Sequence, residues 1–231
     1  MSELLVLIDK KSPESLQLLG CVSRDSAHKL GYRHSSVLLI PTTWDDESKA
    51  PIIFVHKRSP YKVICPNTYD FCGGHIRFEH WYSHYLEKAF DSFPLLERAA
   101  DETAIREANE ELKCEPSFRF QHQHIFRFQS FGYFDCDTIF EGGRNAEFST
   151  AYFVAIPKSR RVNIWDTDIH GERKLIVKKF GLPYLLSQFQ EKEELFADGA
   201  GRILKKLIAE PSLHKDFERL LRDVNKCGMA Y

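Results

Sequence analysis

The chain has 231 residues, 43% of them apolar, with 32 Lys and Arg against 33 Asp and Glu. That is enough apolar material for one catalytic domain with appendages, and a net charge of −1 excludes a global field that would draw the protein onto nucleic acid or an anionic membrane. Six scattered cysteines without CxxC spacing read as reduced thiols, so a cytoplasmic location is expected. The opening apolar run LLVLI, interrupted at Asp9, is too short for a signal peptide or a bilayer span.

In chain order, ELLVLID and SLQLLGCV read as two short strands of a hairpin around KKSPE. SRDSAHKLGY has the composition of a one-turn helix ending at Gly31. SSVLLI and PIIFVHKR follow as buried strands separated by the turn-rich PTTWDDESKA. TYDFCGGHI closes on Gly73 and Gly74, where the backbone turns sharply or a ligand comes close.

EHWYSHYLEKAF is helix-compatible, and Pro94 separates it from LLERAADETAIREANEELKCE. This is the most strongly helical stretch, with Ile105, Ala108 and Leu112 as its apolar stripe. FRFQHQHIFRFQSFGYF and AEFSTAYFVAI read as aromatic-rich strands. Beyond Gly181, three amphipathic helical segments are broken by DGAG and Pro211. No internal repeat is evident.

Within the long helical stretch, REANEEL sets Glu107, Glu110 and Glu111 as neighbours on a helix surface. Like charges at that spacing repel unless a cation lies between them, which points to a divalent metal. Arg106, four residues before Glu110, is placed to pair with it and hold its orientation.

A strand ending in GGH precedes this helix and strands follow it. The arrangement resembles the Nudix box of the Nudix hydrolases, through Gly74, Arg106, Glu107, Ala108, Glu110, Glu111 and Cys114. It departs from that box in three places. Twenty-two residues separate Gly74 from Glu97, Arg98 stands where the first glutamate of the box would be, with Glu97 and Glu102 as its replacements, and Lys113 takes the place of the late glycine.

The resemblance implies an α/β/α sandwich with a mixed central sheet over residues 1–160, a helical insertion at 77–94 and a C-terminal helical extension over 161–231. It implies a hydrolase cleaving the diphosphate linkage of a nucleoside diphosphate-X or related small molecule, with Mg2+ or Mn2+ as cofactor. The implied metal ligands are Glu107, Glu110, Glu111 and a backbone carbonyl at Gly73 or Gly74, and the base is one of the glutamates or Glu147.

The N-terminal third, ELLVLID and then VSRDSAHKLGYRHSSVLLI, is similar to the isopentenyl-diphosphate isomerase-like branch of the same superfamily. By that resemblance His28, His34, His75 and Glu147 are candidates for holding a metal. Gly73 stands where the isomerase cysteine would be, and Cys72 falls one residue early, which on a strand is the other face. An isomerase and a catalytically silent Nudix binding module are therefore the rival readings, the second motivated by Arg98, Lys113 and the long insertion.

Arg58 either grips a diphosphate by paired hydrogen bonds or simply ends its strand. Trp81 and Tyr82 are candidates to stack on a substrate ring, whereas Trp44, Trp165 and the phenylalanines read chiefly as core material. The histidine pair of FQHQHIF reads as structural. The expected partner is a small-molecule diphosphate, not a nucleic-acid polymer or a membrane, with a homodimer as the assembly to test.

Overall fold

The computed structural model describes residues 3–10, 16–79, 82, 92–115, 117–128, 132–158, 160–168 and 170–226. Strands β1 (Leu4–Lys10) and β2 (Leu16–Ser23) form the antiparallel hairpin that the two apolar runs predict. Helix α1 (Arg24–Leu30) starts where the Ser23 hydroxyl accepts from the Ser26 N–H and ends at Gly31, which is left-handed at φ 68°. It has seven residues, about two turns where one was expected.

Strand β3 (His34–Asp45) is longer than its sequence suggests, which brings it closer along the chain to β4 (Ala50–Lys57). PTTWD, read as turn, continues β3, with Thr42 opposite Ile53 and Trp44 opposite Pro51. Cross-strand pairing and the burial of Trp44 outweigh the local turn propensity.

Two short strands follow, β5 (Tyr69–Asp70) and β6 (Cys72–His75), and then the long helix α2 (Ser92–Glu111). The predicted helix overruns its true end, because LKCE forms strand β7 (Leu112–Glu115). Leu112 and Cys114 are buried while Lys113 and Glu115 are exposed, so the burial period switches from helical to twofold at Glu111.

The sheet continues through β8 (Ile125–Arg127), β9 (Tyr133–Phe140) and β10 (Gly143–Ala155), then β11 (Arg161–Asp168), β12 (Gly171–Lys174) and β13 (Ile176–Gly181). Helices α3 (Leu182–Glu191), α4 (Asp198–Ala209) and α5 (Pro211–Lys226) close the described chain.

Ten strands make one mixed sheet, with β10 parallel to β3 and the other pairs antiparallel, and β7, β11 and β12 make a second, small sheet. Alternation on the central strands splits the core into two layers. Val37, Leu39, Tyr152 and Val154 pack with the Leu96, Ala100, Ala104 and Ala108 side of α2, while Ile40, Ala151 and Phe153 pack with Leu185, Leu204 and Phe217 of α3 to α5. The fold is the expected mixed-sheet α/β/α sandwich.

The segment after residue 160 is not helical throughout, in contrast to the expected helical extension. It opens with three strands, and β13 adds an edge to the main sheet by pairing with β4. Most of the expected insertion at 77–94, including Trp81, lies outside the described residues. Among the described residues no helix is long and apolar enough to cross a membrane.

Candidate active site

Helix α2 lays its carboxylates against the glycine strand. Glu107 is buried and Glu111 is enclosed by protein at the helix end, whereas the Glu110 side chain is 52% exposed. Arg106 donates to Glu107 at 2.5 Å and to Glu110 at 2.8 Å, the second being the i,i+4 pair expected from sequence. The Gly73 N–H donates to Glu111 at 3.1 Å.

Neither glycine has room for a side chain while Glu107 and the backbone of β3 stay where they are. A Cβ on Gly74 would fall on the Glu107 carboxylate, and one on Gly73 would fall on the Val37 carbonyl. Burial pushes the Glu107 carboxyl up against the opposing pull of Arg106. It pushes Glu111 well up, helped by the nearby charges of Glu107 and Asp166. Two enclosed carboxylates that resist ionisation together are the donor set a hard divalent cation suits.

Across the same cavity of about 530 Å3 stands a cluster of histidines. The strand registers assemble it: Glu147 of β10 lies opposite His34 of β3, and His75 of β6 lies opposite Ser36, two residues further along β3. Helix α1 brings in His28, and one ring nitrogen from each of His28, His34 and His75 lies within 4.8 Å of the others.

The His34 Nδ1–H donates to the Tyr32 carbonyl at 2.9 Å, which places the proton on that nitrogen and leaves Nε2 with a free lone pair. The Nε2 atoms of His28 and His34 are buried without a hydrogen-bond partner. Burial first, and His75 second, hold both imidazoles down to about 4, in their neutral form at physiological pH. These orphaned lone pairs fit a metal ion.

Glu147 completes this wall, its Oε1 lying 3.5 Å from His75 Nε2. Burial pushes its carboxyl up, but hydrogen bonding and charge from His75 and the hydrogen bond from the Asn145 amide outweigh it and hold the group well below the usual range. Ser36 donates to Glu147 at 2.8 Å and Asn145 at 2.7 Å, so the carboxylate has a fixed orientation. The Oδ1 of Asn145 is itself buried without a partner and lines the cavity.

Glu107, Glu110, Glu111, Glu147, Gly74 and Arg58 therefore share one cavity. The Arg58 guanidinium there is engaged, donating to Asp70 at 2.7 Å and to the Ile64 carbonyl at 3.1 Å. Tyr82 stands apart, 44% exposed and stacked on Phe78 at 5.4 Å between ring centroids. Glu97, a replacement for the missing box glutamate by sequence, pairs with Arg127 and faces a different cavity with Asp101 and Tyr152.

His122 and His124 fall in a 3-10 turn, where His124 Nδ1 accepts from the Gln121 N–H, a structural role as expected. Sequence reading missed Ser36, Ser149 and Asn145. Their signal was polarity inside strands otherwise built of apolar residues. It also missed Glu3, which lies 4.0 Å from His75 and pairs with Arg24 and Arg77, and the Lys62–Asp166 pair at 2.9 Å.

The sandwich and its carboxylate and histidine walls define a mixed α/β protein with a polar pocket suited to a divalent cation. No protein-family model matches the chain, and no curated protein does. Among solved structures it is similar to a NUDIX hydrolase from Alicyclobacillus acidocaldarius, at 14% identity over 77% of this chain and 91% of that one, with a TM-score of 0.49. It is also similar to a Deinococcus radiodurans protein, at 17% identity over 88% and 98% with a TM-score of 0.45, and to an Ap4A hydrolase of C. elegans, at 13% over 76% and 96% with a TM-score of 0.39. These likenesses are of outline alone.

Proposed function

We propose that the protein is a Nudix-type hydrolase that uses Mg2+ or Mn2+ to cleave the diphosphate linkage of a nucleoside diphosphate-X or related small molecule. One observation carries this reading. The REANEEL carboxylates stand in a single cavity with the glycine turn and with Glu147.

Glu107, Glu110, Glu111 and the Gly74 carbonyl would hold the cation of the carboxylate wall, and His28, His34, His75 and Glu147 a second one. Bound there, divalent ions would neutralise diphosphate charge and lower the pKa of a water. The chain itself supplies position. Arg106 fixes two of the glutamates, the Gly73 N–H fixes the third, and Ser36 and Asn145 aim Glu147, whose depressed pKa suits it to stay ionised.

The histidine wall favours a second reading, an isomerase of isoprenoid diphosphates. The absence of room for any side chain at Gly73 opposes it, because the cysteine of that chemistry cannot be seated there.

The test is a screen of nucleoside diphosphates, dinucleotides, nucleotide sugars and prenyl diphosphates with each metal, scored by phosphorus products and by the rise in melting temperature on adding metal alone. Metal-dependent release of phosphorus products supports the hydrolase. Ligand binding without any product supports a silent binding module instead.

A further inference from the structure

The β11–β12 hairpin is anchored at its base and projects from there. Ile164 pairs with Leu112 of β7, Ile164 and Leu175 are buried in the core, and the Leu175 N–H donates to the Ile164 carbonyl at 2.8 Å. Beyond that closed base the two strands pair with each other, from Trp165 opposite Lys174 to Asp168 opposite Gly171. Among the described residues no strand outside the hairpin pairs with this arm. A two-stranded hairpin is marginally stable by itself in water, so the arm depends on side-chain contacts for its position.

The loop after β4 supplies such contacts, and it is tied internally. The Arg58 N–H donates to the Thr68 carbonyl at 2.9 Å and closes the loop base, while the Arg58 guanidinium donates to the Ile64 carbonyl and to Asp70. From this block the Lys62 ammonium meets the Asp166 carboxylate of the arm at 2.9 Å. Its neighbour Tyr61 packs edge to face on His170, with ring centroids 4.5 Å apart, and lies under the Arg173 guanidinium at 5.1 Å. Lys62 and Ile64 of the loop and Asp166 and Glu172 of the arm line the same cavity as the carboxylate helix. The contact between loop and arm therefore closes one side of that cavity.

We propose that the β11–β12 arm is a lid, hinged at Ile164 and Leu175 and latched on the loop by Lys62–Asp166 and Tyr61–His170, which lifts for ligands to enter and leave the cavity. The two ends of the arm are held very differently. Its base is buried and hydrogen-bonded, whereas a partly exposed ion pair and a ring contact at the surface are weak enough to break on the microsecond-to-millisecond timescale of lids. Hinge motion of this kind needs only the element-terminal residues to absorb the change.

The first test is amide hydrogen exchange, read by mass spectrometry on the full chain, of the wild type, Lys62→Met, Asp166→Asn and the variant carrying both. A lifted arm is an unsupported hairpin, so its amides exchange whenever the latch is open. Each single variant should speed exchange of the arm about threefold to fivefold, and the double variant should be no faster than the faster single one. Exchange in β3 and β10 should stay as in the wild type. The second test uses Tyr61→Leu, which changes no charge and whose side chain does not line the cavity. With Mg2+ present, stopped-flow binding of inorganic diphosphate should show association and dissociation rate constants rising together by about threefold or more, with Kd changed less than about twofold, because a gate alters rates and not the equilibrium.

Arm exchange unchanged in both single variants, a double variant as fast as the product of the two, or an equal rise in β3 and β10 overturns the lid. So does a Tyr61→Leu protein whose two rate constants match the wild type or move apart. The hydrolase reading fails separately, on a substrate screen that yields no phosphorus product, and that result leaves both lid readouts standing.

Discussion

Gly74 and Glu107 occupy one shared space: the hydrogen of the glycine leaves the room into which the glutamate carboxylate projects, and a Cβ at residue 74 would overlap it. The strand and the helix thus approach so closely that a side chain at residue 74 would have to move the Glu107 carboxylate.

Gly74→Ala is accordingly expected to displace the Glu107 carboxylate by a fraction of its own width. A misplacement approaching 1 Å costs about a hundredfold in rate, and the overpacking costs about 1–3 kcal/mol of stability. Steady-state kinetics and urea unfolding read the two effects. Full activity in a stable Gly74→Ala protein would show that Glu107 does not take part in the reaction.

Glu110→Gln and Glu111→Gln should each lower metal-dependent kcat by at least about a hundredfold, since even outer partners of a metal cost that order when changed. Their stability signatures differ. Glu110 is largely exposed, so its variant should melt with the wild type. Glu111 is an enclosed carboxylate already pushed toward its neutral form, so Glu111→Gln without metal should melt at the same temperature or higher. On adding Mg2+ the wild type should gain melting temperature and Glu111→Gln should gain less. Near-normal turnover in both variants would remove the carboxylate helix from the mechanism.

Interconversion of isopentenyl and dimethylallyl diphosphates should be absent by proton NMR, and hydrolysis should be insensitive to Cys72→Ser. Cys72 is buried, 4.0 Å from His56, and burial together with the nearby Glu111 charge pushes its thiol well up, so it lacks the thiolate character of a reactive cysteine. Isomer exchange that Cys72→Ser abolishes would reinstate the isomerase.

Acid should destabilise the fold partly through His56, which is 5% exposed. Burial first, and the Arg58 guanidinium second, hold its imidazole down to about 3 from an ordinary 6.5. The unfolded chain takes up a proton below pH 6.5 that the folded protein refuses. The stability contributed is complete above pH 6.5 and is lost as pH falls toward 3, at about 1.4 kcal/mol per pH unit within that window. Urea unfolding between pH 6 and pH 4.5 should therefore show a shallower pH slope for His56→Gln than for the wild type. Equal slopes would mean that His56 is protonated in the fold.

Much of this site was legible in the chain itself because its signals are local. The like-charged face of REANEEL, the glycine pair, the antiparallel pairing of β1 with β2 and the Arg106–Glu110 pair follow from helical and twofold periods and from i,i+4 spacing, which are properties of neighbours in sequence. Glycine at 73 in place of a cysteine was equally readable, since a missing side chain needs no fold to be noticed.

Long-range pairing decided the rest. That PTTWD is strand and not turn depends on the partners β4 offers it, and that the expected helical extension after residue 160 begins as strands depends on the edge β7 offers β11 and the edge of β4 that β13 covers. The Glu147–His34 and Leu112–Ile164 registers join residues more than fifty positions apart. A change of one residue in either would turn Glu147 away from the histidines, or Ile164 out of the core. The sequence by itself determined which residues could bind a cation; only the tertiary structure decided which of them face one another, because register and burial are set by contacts between distant segments and leave no mark in local spacing.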